Sequence, residues 1–135
     1  MKELKIDALV ENLDQVLAFV DAELEAMECS MKTQMQIDVA IDELFSNIAF
    51  YAYQPETGNA TIQVEVEKKP LTVILTFIDH GIPYNPLDKK EPDISLPAED
   101  RPVGGLGIFL IKKLMDEVTY KYQDGQNILT MKKRL

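Results

Sequence analysis

The sequence predicts an α+β fold, a two-layer sandwich with helices packed on one face of a largely antiparallel sheet. Three observations carry this reading. Hydrophobic periodicity runs in the order strand, helix, helix, strand, strand, long aperiodic segment, helix, strand, strand. Two strand-like runs follow each other across a short polar break, and the chain closes with a second such pair turned at Asp124-Gly125. No strand leads directly into a GxGxxG or GxxxxGK-S/T turn, so neither a Rossmann nor a P-loop arrangement is expected.

The elements follow in order. Leu4, Ile6 and Ala8 alternate with polar residues over 3–9, a short strand expected at an edge or beside one partner. From Asn12 the spacing becomes helical through Val16, Leu17, Val20, Leu24 and Met27, predicting a helix from about 12 to 28 with Asn12 or Asp14 as its N-cap. Ile37, Ile41, Leu44, Phe45, Ile48 and Ala52 share one stripe of a second helix, which ends at the turn cluster 54–59. Ala60 to Glu67 and Leu71 to Asp79 read as antiparallel neighbours. Gly81 to Val103 carries five Pro residues and neither periodicity, the mark of a functional or disordered loop. A helical run, Ile108 to Met115, and the terminal hairpin, 118–122 with 127–133, complete the chain.

Length and composition bound the function. The chain's 135 residues at 46% hydrophobic content predict a single domain over 1–135 with material for a real core. A net charge of −9 withholds the basic footprint that phosphate-backbone binding needs, so no direct nucleic-acid partner is expected. One cysteine excludes an internal disulfide, one histidine and one cysteine exclude a His/Cys zinc site, and no apolar run suits a membrane span or a signal peptide. A cytoplasmic setting without a membrane is expected. Cys29 has no basic neighbour in sequence to activate it as a thiolate, and the six Met residues read as core filler.

Three constellations could carry chemistry. Glu43 and Asn47, four residues apart in IDELFSNIAFYAY, share a helix face roughly 100° or more from the centre of its apolar stripe. An amide oxygen there suits a hard cation such as Mg²⁺, and a neighbouring carboxylate suits a proton acceptor. A solvated polar pair is the commoner meaning of such spacing. The second is Asp79-His80-Gly81-Ile82-Pro83-Tyr84-Asn85-Pro86, where Asp79 ends an apolar strand and Gly81 permits close backbone approach to a flat ligand. A buried carboxylate can discriminate by accepting from an exocyclic amine, while an Asx turn explains the same residues without a ligand. The third is Arg101-Pro102-Val103-Gly104-Gly105-Leu106-Gly107, whose glycines open a helix and leave N–H groups facing an anion. Arg101 could reach a phosphate or pair with Glu99 or Asp100, and the glycines alone could be a hinge.

Taken in order, E-x-x-x-N on a helix, D-x-G-x-P-Y-N-P after a strand and GGxG before a helix resemble the GHKL (Bergerat-fold) ATPases. Within them the chain looks like the stand-alone anti-sigma regulatory factors, the small serine-protein kinases of bacterial partner-switching systems. The resemblance covers essentially the whole chain, and GGLGIFLIKKLMDEVTY is its most specific segment. It implies ATP and Mg²⁺ as cofactors, with Asn47 the Mg²⁺ ligand and Glu43 the catalytic base toward a target serine or threonine. It makes Asp79 the adenine-reading carboxylate, Gly81 its backbone neighbour and Thr130 a second contact beneath the base. Gly104, Gly105, Leu106 and Gly107 would wrap the phosphates with Arg101 nearby, under an ATP lid over about 87–103. Lid closure would exclude water and commit the nucleotide to transfer.

The implied partners are an antagonist (anti-anti-sigma) protein and a sigma factor, with a homodimer as the assembly. Two features depart from the pattern: Tyr51 stands where many relatives have His, and the first helix carries no Arg or Lys from Glu11 to Glu28. Its six acidic residues, Glu11, Asp14, Asp21, Glu23, Glu25 and Glu28, form either a solvated face or a docking surface for a basic partner. A different class of function is a module that holds ATP only to set its lid and sequesters a partner without phosphorylating it. A third reading, the catalytic domain of a two-component histidine kinase, would need its phosphoacceptor histidine on a separate chain, because His80 lies in the adenine turn.

Overall fold

The computed structural model describes residues 1–53, 56–85, 87 and 105–135, with the backbone alone for 105–108. Its strands are β1 (Lys2–Asp7), β2 (Asn59–Glu67), β3 (Thr72–Asp79), β4 (Glu117–Gln123) and β5 (Gln126–Arg134). They form one five-stranded sheet in the order β1-β2-β3-β5-β4, antiparallel at every pairing. The helices are α1 (Leu13–Ala26), α2 (Met31–Asn47) and α3 (Gly105–Leu114). This is the α+β arrangement expected.

Sheet parity decides which side chains meet the helices. Ala60, Ile62 and Val64 of β2 stand opposite Asp79, Phe77 and Leu75 of β3, and Phe77 and Leu75 stand opposite Leu129 and Met131 of β5. All but Asp79 are core hydrophobics packed with Val16, Val20 and Leu24 of α1 and Ile37, Ile41, Leu44 and Phe45 of α2. Burying such side chains contributes roughly 1.5–3 kcal/mol each relative to leaving them in water, which is what holds the layers together. Asp79 and Asn127 occupy the last inward positions of β3 and β5 as a directly opposed pair, so the apolar core ends there and a polar site begins.

Local chemistry explains the boundaries. Ser30 caps α2 by accepting from Thr33 N at 3.2 Å. The N-cap expected for α1 is not made: Asn12 stands at the cap position, but its Nδ2 donates to Asp7 O at 3.0 Å, tying the preceding turn, Val10–Asn12, to β1. β1 therefore ends at Asp7, two residues earlier than the alternation suggests. The second helix does run to Ala52, but its last turn, Ile48–Ala52, is π-helical. The β4–β5 turn has Asp124 at φ 54° and Gly125 at φ 76°, the left-handed pair that matches strand twist in a two-residue hairpin.

Candidate functional site

The end of the core opens into a cleft walled by α2 and its π turn, the end of β3, the following loop, and β4 and β5. Its floor is apolar, with Leu44, Ile48, Phe77 and Leu129, and its polar groups converge from Asn47, Asp79, Tyr84, Tyr120 and Asn127. An apolar slot with a few fixed polar groups is the usual form of a small-ligand site.

Asp79 is 5% exposed and its carboxylate is held from one side. Gly81 N donates to Asp79 Oδ1 at 2.9 Å and Asn127 Nδ2 donates to the same oxygen at 2.9 Å. Oδ2 has no hydrogen-bond partner among the described residues. The loop is pinned by Ile82 N donating to Ala52 O at 3.1 Å. Gly81 is required by this approach, because a Cβ there would lie 2.2 Å from Ala52 O. Tyr53 braces the same corner: its hydroxyl donates to Asn59 O at 2.6 Å and accepts from His80 N at 2.8 Å. Burial pushes that hydroxyl above its ordinary pKa, the His80 N–H pulls it down, and the Asp79 charge pushes it up. The Asx hydrogen bond from Gly81 is therefore present, but as one arm of a cleft wall.

Asn47 and Glu43 come from the C-terminal turns of α2; Asn47 lines the cleft, and Glu43, one turn earlier, is not among its lining residues. Both are half-buried, and Asn47 Nδ2 is wholly buried with no hydrogen-bond partner among the described residues. A buried amide end left unmatched at a pocket wall is costly unless a ligand completes it. Rotating the amide about its last bond exchanges N for O, so the position offers a cation a neutral oxygen of the kind Mg²⁺ accepts, the remaining ligands coming from phosphate and water. The residues present thus fit a nucleotide with its metal. No cluster of three or more His, Cys, Asp or Glu side chains able to hold a metal stands among the described residues.

α3 begins at Gly105, so Gly105, Leu106 and Gly107 form its first turn, where backbone N–H groups have no intrahelical acceptor. Arg101, Gly104 and the expected lid from 88 to 103 lie outside the described residues. At the near end of that segment, Leu87 packs against the core and its carbonyl accepts from Lys112 Nζ at 3.2 Å.

Thr130 is not brought to the cleft. It pairs with Thr76 on β3 and Thr119 on β4, one position out of phase with Phe77 and Leu129, so it projects from the opposite face of the sheet. The polar inward position of this strand that lines the cleft is Asn127, three residues earlier, and three is an odd step along a strand. Asn127 could have been found from the alternation Asn127, Leu129, Met131, in which an amide takes the first place of an inward apolar series. Tyr53 and Tyr120 were also missed, and nothing in their spacing marks them. Tyr51 lies near the mouth, 45% exposed, its ring centroid 6.4 Å from that of Tyr84. Burial, then the charges of Asp21 and Asp38, push the Cys29 thiol up, away from the thiolate that a nucleophile needs.

Comparison with known proteins places the chain as a whole. The family described as "Histidine kinase-like ATPase domain" matches residues 6–133. The chain belongs to this family. Among curated proteins it is similar to the Serine-protein kinase RsbW of Bacillus mycoides, 28% identical over 134 residues, spanning 96% of this chain and 82% of that one. The Bacillus cereus protein of the same name is 28% identical over 132 residues with the same coverage. Among solved structures, the histidine kinase domain of the Erythrobacter litoralis EL346 blue-light activated histidine kinase aligns with a TM-score of 0.50 at 11% identity, over 91% of this chain and 61% of that one. The Acinetobacter baumannii histidine kinase AdeS aligns with a TM-score of 0.50 at 15% identity, over 99% of this chain and 68% of that one. These two structures show that the fold is that of histidine kinase-like ATPase domains. No helix among the described residues is long and apolar enough to cross a membrane.

Proposed function

We propose that the domain binds Mg²⁺-ATP in this cleft and transfers the γ-phosphoryl group to a serine or threonine of an antagonist protein, while a second surface sequesters a sigma factor. The observation that carries the reading is the cleft's end wall, where Asp79, its donors gathered on one oxygen, borders an apolar slot and the buried Asn47 amide stands unmatched on the neighbouring wall. Family membership and the similarity to the RsbW kinases support it.

In this reading Asp79 Oδ2 accepts from the exocyclic amine of adenine, and the first turn of α3 meets the phosphates with backbone N–H groups. Asn47 would hold Mg²⁺, which when bound would neutralise charge on the phosphate oxygens. Glu43, one helical turn from Asn47, accepts the proton of the attacking hydroxyl. The new bond joins that hydroxyl oxygen to Pγ as the bond from Pγ to the β-phosphate oxygen breaks, and ADP leaves. Positioning and electrostatics supply most of the rate, as in phosphoryl transfer generally.

Incubation with Mg²⁺-ATP and a candidate antagonist, followed by mass spectrometry of the antagonist, tests the transfer. One added phosphate is expected, and none under any condition would leave only an ATP-gated binding module. Glu43→Ala should keep ADP affinity and lose transfer by about 100-fold or more. Dimerisation and a cytoplasmic setting belong to the same reading, and sedimentation would report the first. The sigma factor or antagonist is proposed to meet the exposed acids of α1 and its flanks, Glu11, Asp14, Glu25 and Glu28. Reversing the charges of Glu25 and Glu28 should slow association with a basic partner several-fold at low salt and leave ATP affinity unchanged.

A further inference from the structure

We infer that Asn127 is a positioning residue for base selection: it fixes Asp79 so that one carboxylate oxygen faces the cleft as an acceptor, and does not itself touch the base. This rests on the nucleotide reading above and adds to it the residue on which discrimination depends.

The argument is an inventory. A side-chain amide has two N–H donors and an oxygen that accepts twice. Asn127 Nδ2 donates to Asp79 Oδ1 at 2.9 Å and to Ile82 O at 2.8 Å, and its Oδ1 accepts from Tyr84 N at 3.1 Å and from the Tyr120 hydroxyl. All four capacities are used within the protein, so none remains for a ligand, although Asn127 is 6% exposed and lines the cleft. The partners also settle which end of the amide is which. A flipped amide would set an N–H against the Tyr84 N–H and an oxygen against both Asp79 Oδ1 and Ile82 O.

The same count applied to Asp79 gives the consequence. Oδ1 accepts from Asn127 Nδ2 and Gly81 N and is filled, so recognition passes to Oδ2. Locked with its acceptor inward, Oδ2 favours a 6-amino purine and repels the carbonyl of a 6-oxo purine. Through Ile82 O and Tyr84 N the same amide ties the loop after β3 to β5, and through Tyr120 it ties the site to β4. One side chain thus holds the discriminating carboxylate and the loop in register.

The test is calorimetric binding of ADP and IDP to the whole chain, which differ at C6, with Asn127→Asp and Asn127→Ala as variants. The wild type is expected to prefer ADP. Asn127→Asp keeps the size but sets a second carboxyl against Asp79 Oδ1, a pair that shares a proton and can then donate to a 6-oxo group. Asn127→Ala frees Asp79 to rotate without adding charge. Each should reduce the ADP-over-IDP preference by about 10-fold or more. A merely structural role would weaken both nucleotides by one factor and leave the ratio intact, and that result in either folded variant overturns the inference while leaving the ATP reading standing. A wild type that binds ADP and IDP equally also overturns it. A wild type that binds neither brings down the nucleotide reading itself.

Discussion

Two carboxylates of this protein are drawn out of water and meet opposite surroundings. Asp79, at the end of β3, lines the cleft and faces donors: Gly81 N and Asn127 Nδ2 both reach Oδ1. Asp38, on α2, faces another acceptor. Its Oδ1 and that of Asp21 on α1 are both wholly buried, and neither receives a donor from the described residues. Burial, then a proton-sharing hydrogen bond with Asp21, then repulsion by the Asp21 charge raise Asp38 to about 7. Cys29, in the connection between the two helices, is raised by the same two acids and adds no positive charge. What a buried carboxylate does is set by what it faces: donors hold it ready for a ligand, and an acceptor forces it to share a proton.

The sharpest way to break the contrast is to make one substitution in both places. Asp79→Asn should cost ADP at least about 100-fold in affinity, roughly 3 kcal/mol, because a charge-assisted bond is lost and an N–H₂ group is set among donors. The thermal shift produced by ADP should fall with it. An unchanged shift would separate Asp79 from recognition. Gly81→Ala tests the loop beneath the same carboxylate. With its Cβ 2.2 Å from a backbone oxygen, the chain must move, and a loss of about 2 kcal/mol in denaturant unfolding is expected.

Asp38→Asn should have the opposite sign and a smaller size. The folded-state pKa of about 7 lies above the unfolded value of roughly 3.9, so the pair's contribution is fully present below about pH 4 and is lost as pH rises toward and through 7. At pH 8 Asp38 is charged and is repelled by the Asp21 charge. An amide there donates to Asp21 without charge, and a gain of about 1 kcal/mol is expected, held to that size because the pair is only partly shielded from solvent. Unfolding at pH 5 and pH 8 checks it. The wild type should lose more stability between the two than Asp38→Asn does, and parallel losses would show that no proton is shared.

Much of the fold is legible from periodicity because each burying face has its own spacing. Ile37, Ile41, Leu44 and Phe45 give the helical stripe, Val73, Leu75 and Phe77 the inward strand series, and Asp124-Gly125 the hairpin. Asp79 and Gly81 are legible as a site because an acid ending an apolar strand and a glycine two residues on are both unusual without a use. Thr130 shows where this stops. A residue type appropriate to a contact was expected three places too late, and an odd displacement reverses the face. The missing N-cap bond of Asn12 is similar: the residue suits a cap, but its Nδ2 is turned to Asp7 O and its Oδ1 accepts from Gln15 Nε2 in place of a backbone N–H.

The sequence by itself determined the order and kind of the elements, the acidic balance, and the separate presence of Glu43-Asn47, Asp79-Gly81 and the glycines opening α3. These follow from local chemistry and from spacings of two and 3.6, which need no distant partner. Tertiary structure alone decided that Asn127 and not Thr130 closes the site, that Tyr53 bridges Asn59 and His80, and that Asp21 meets Asp38 across two helices. A hydrogen bond between residues 48 positions apart, as between Asn127 and Asp79, depends on strand register and chain path, and neither is written in the residues that make it.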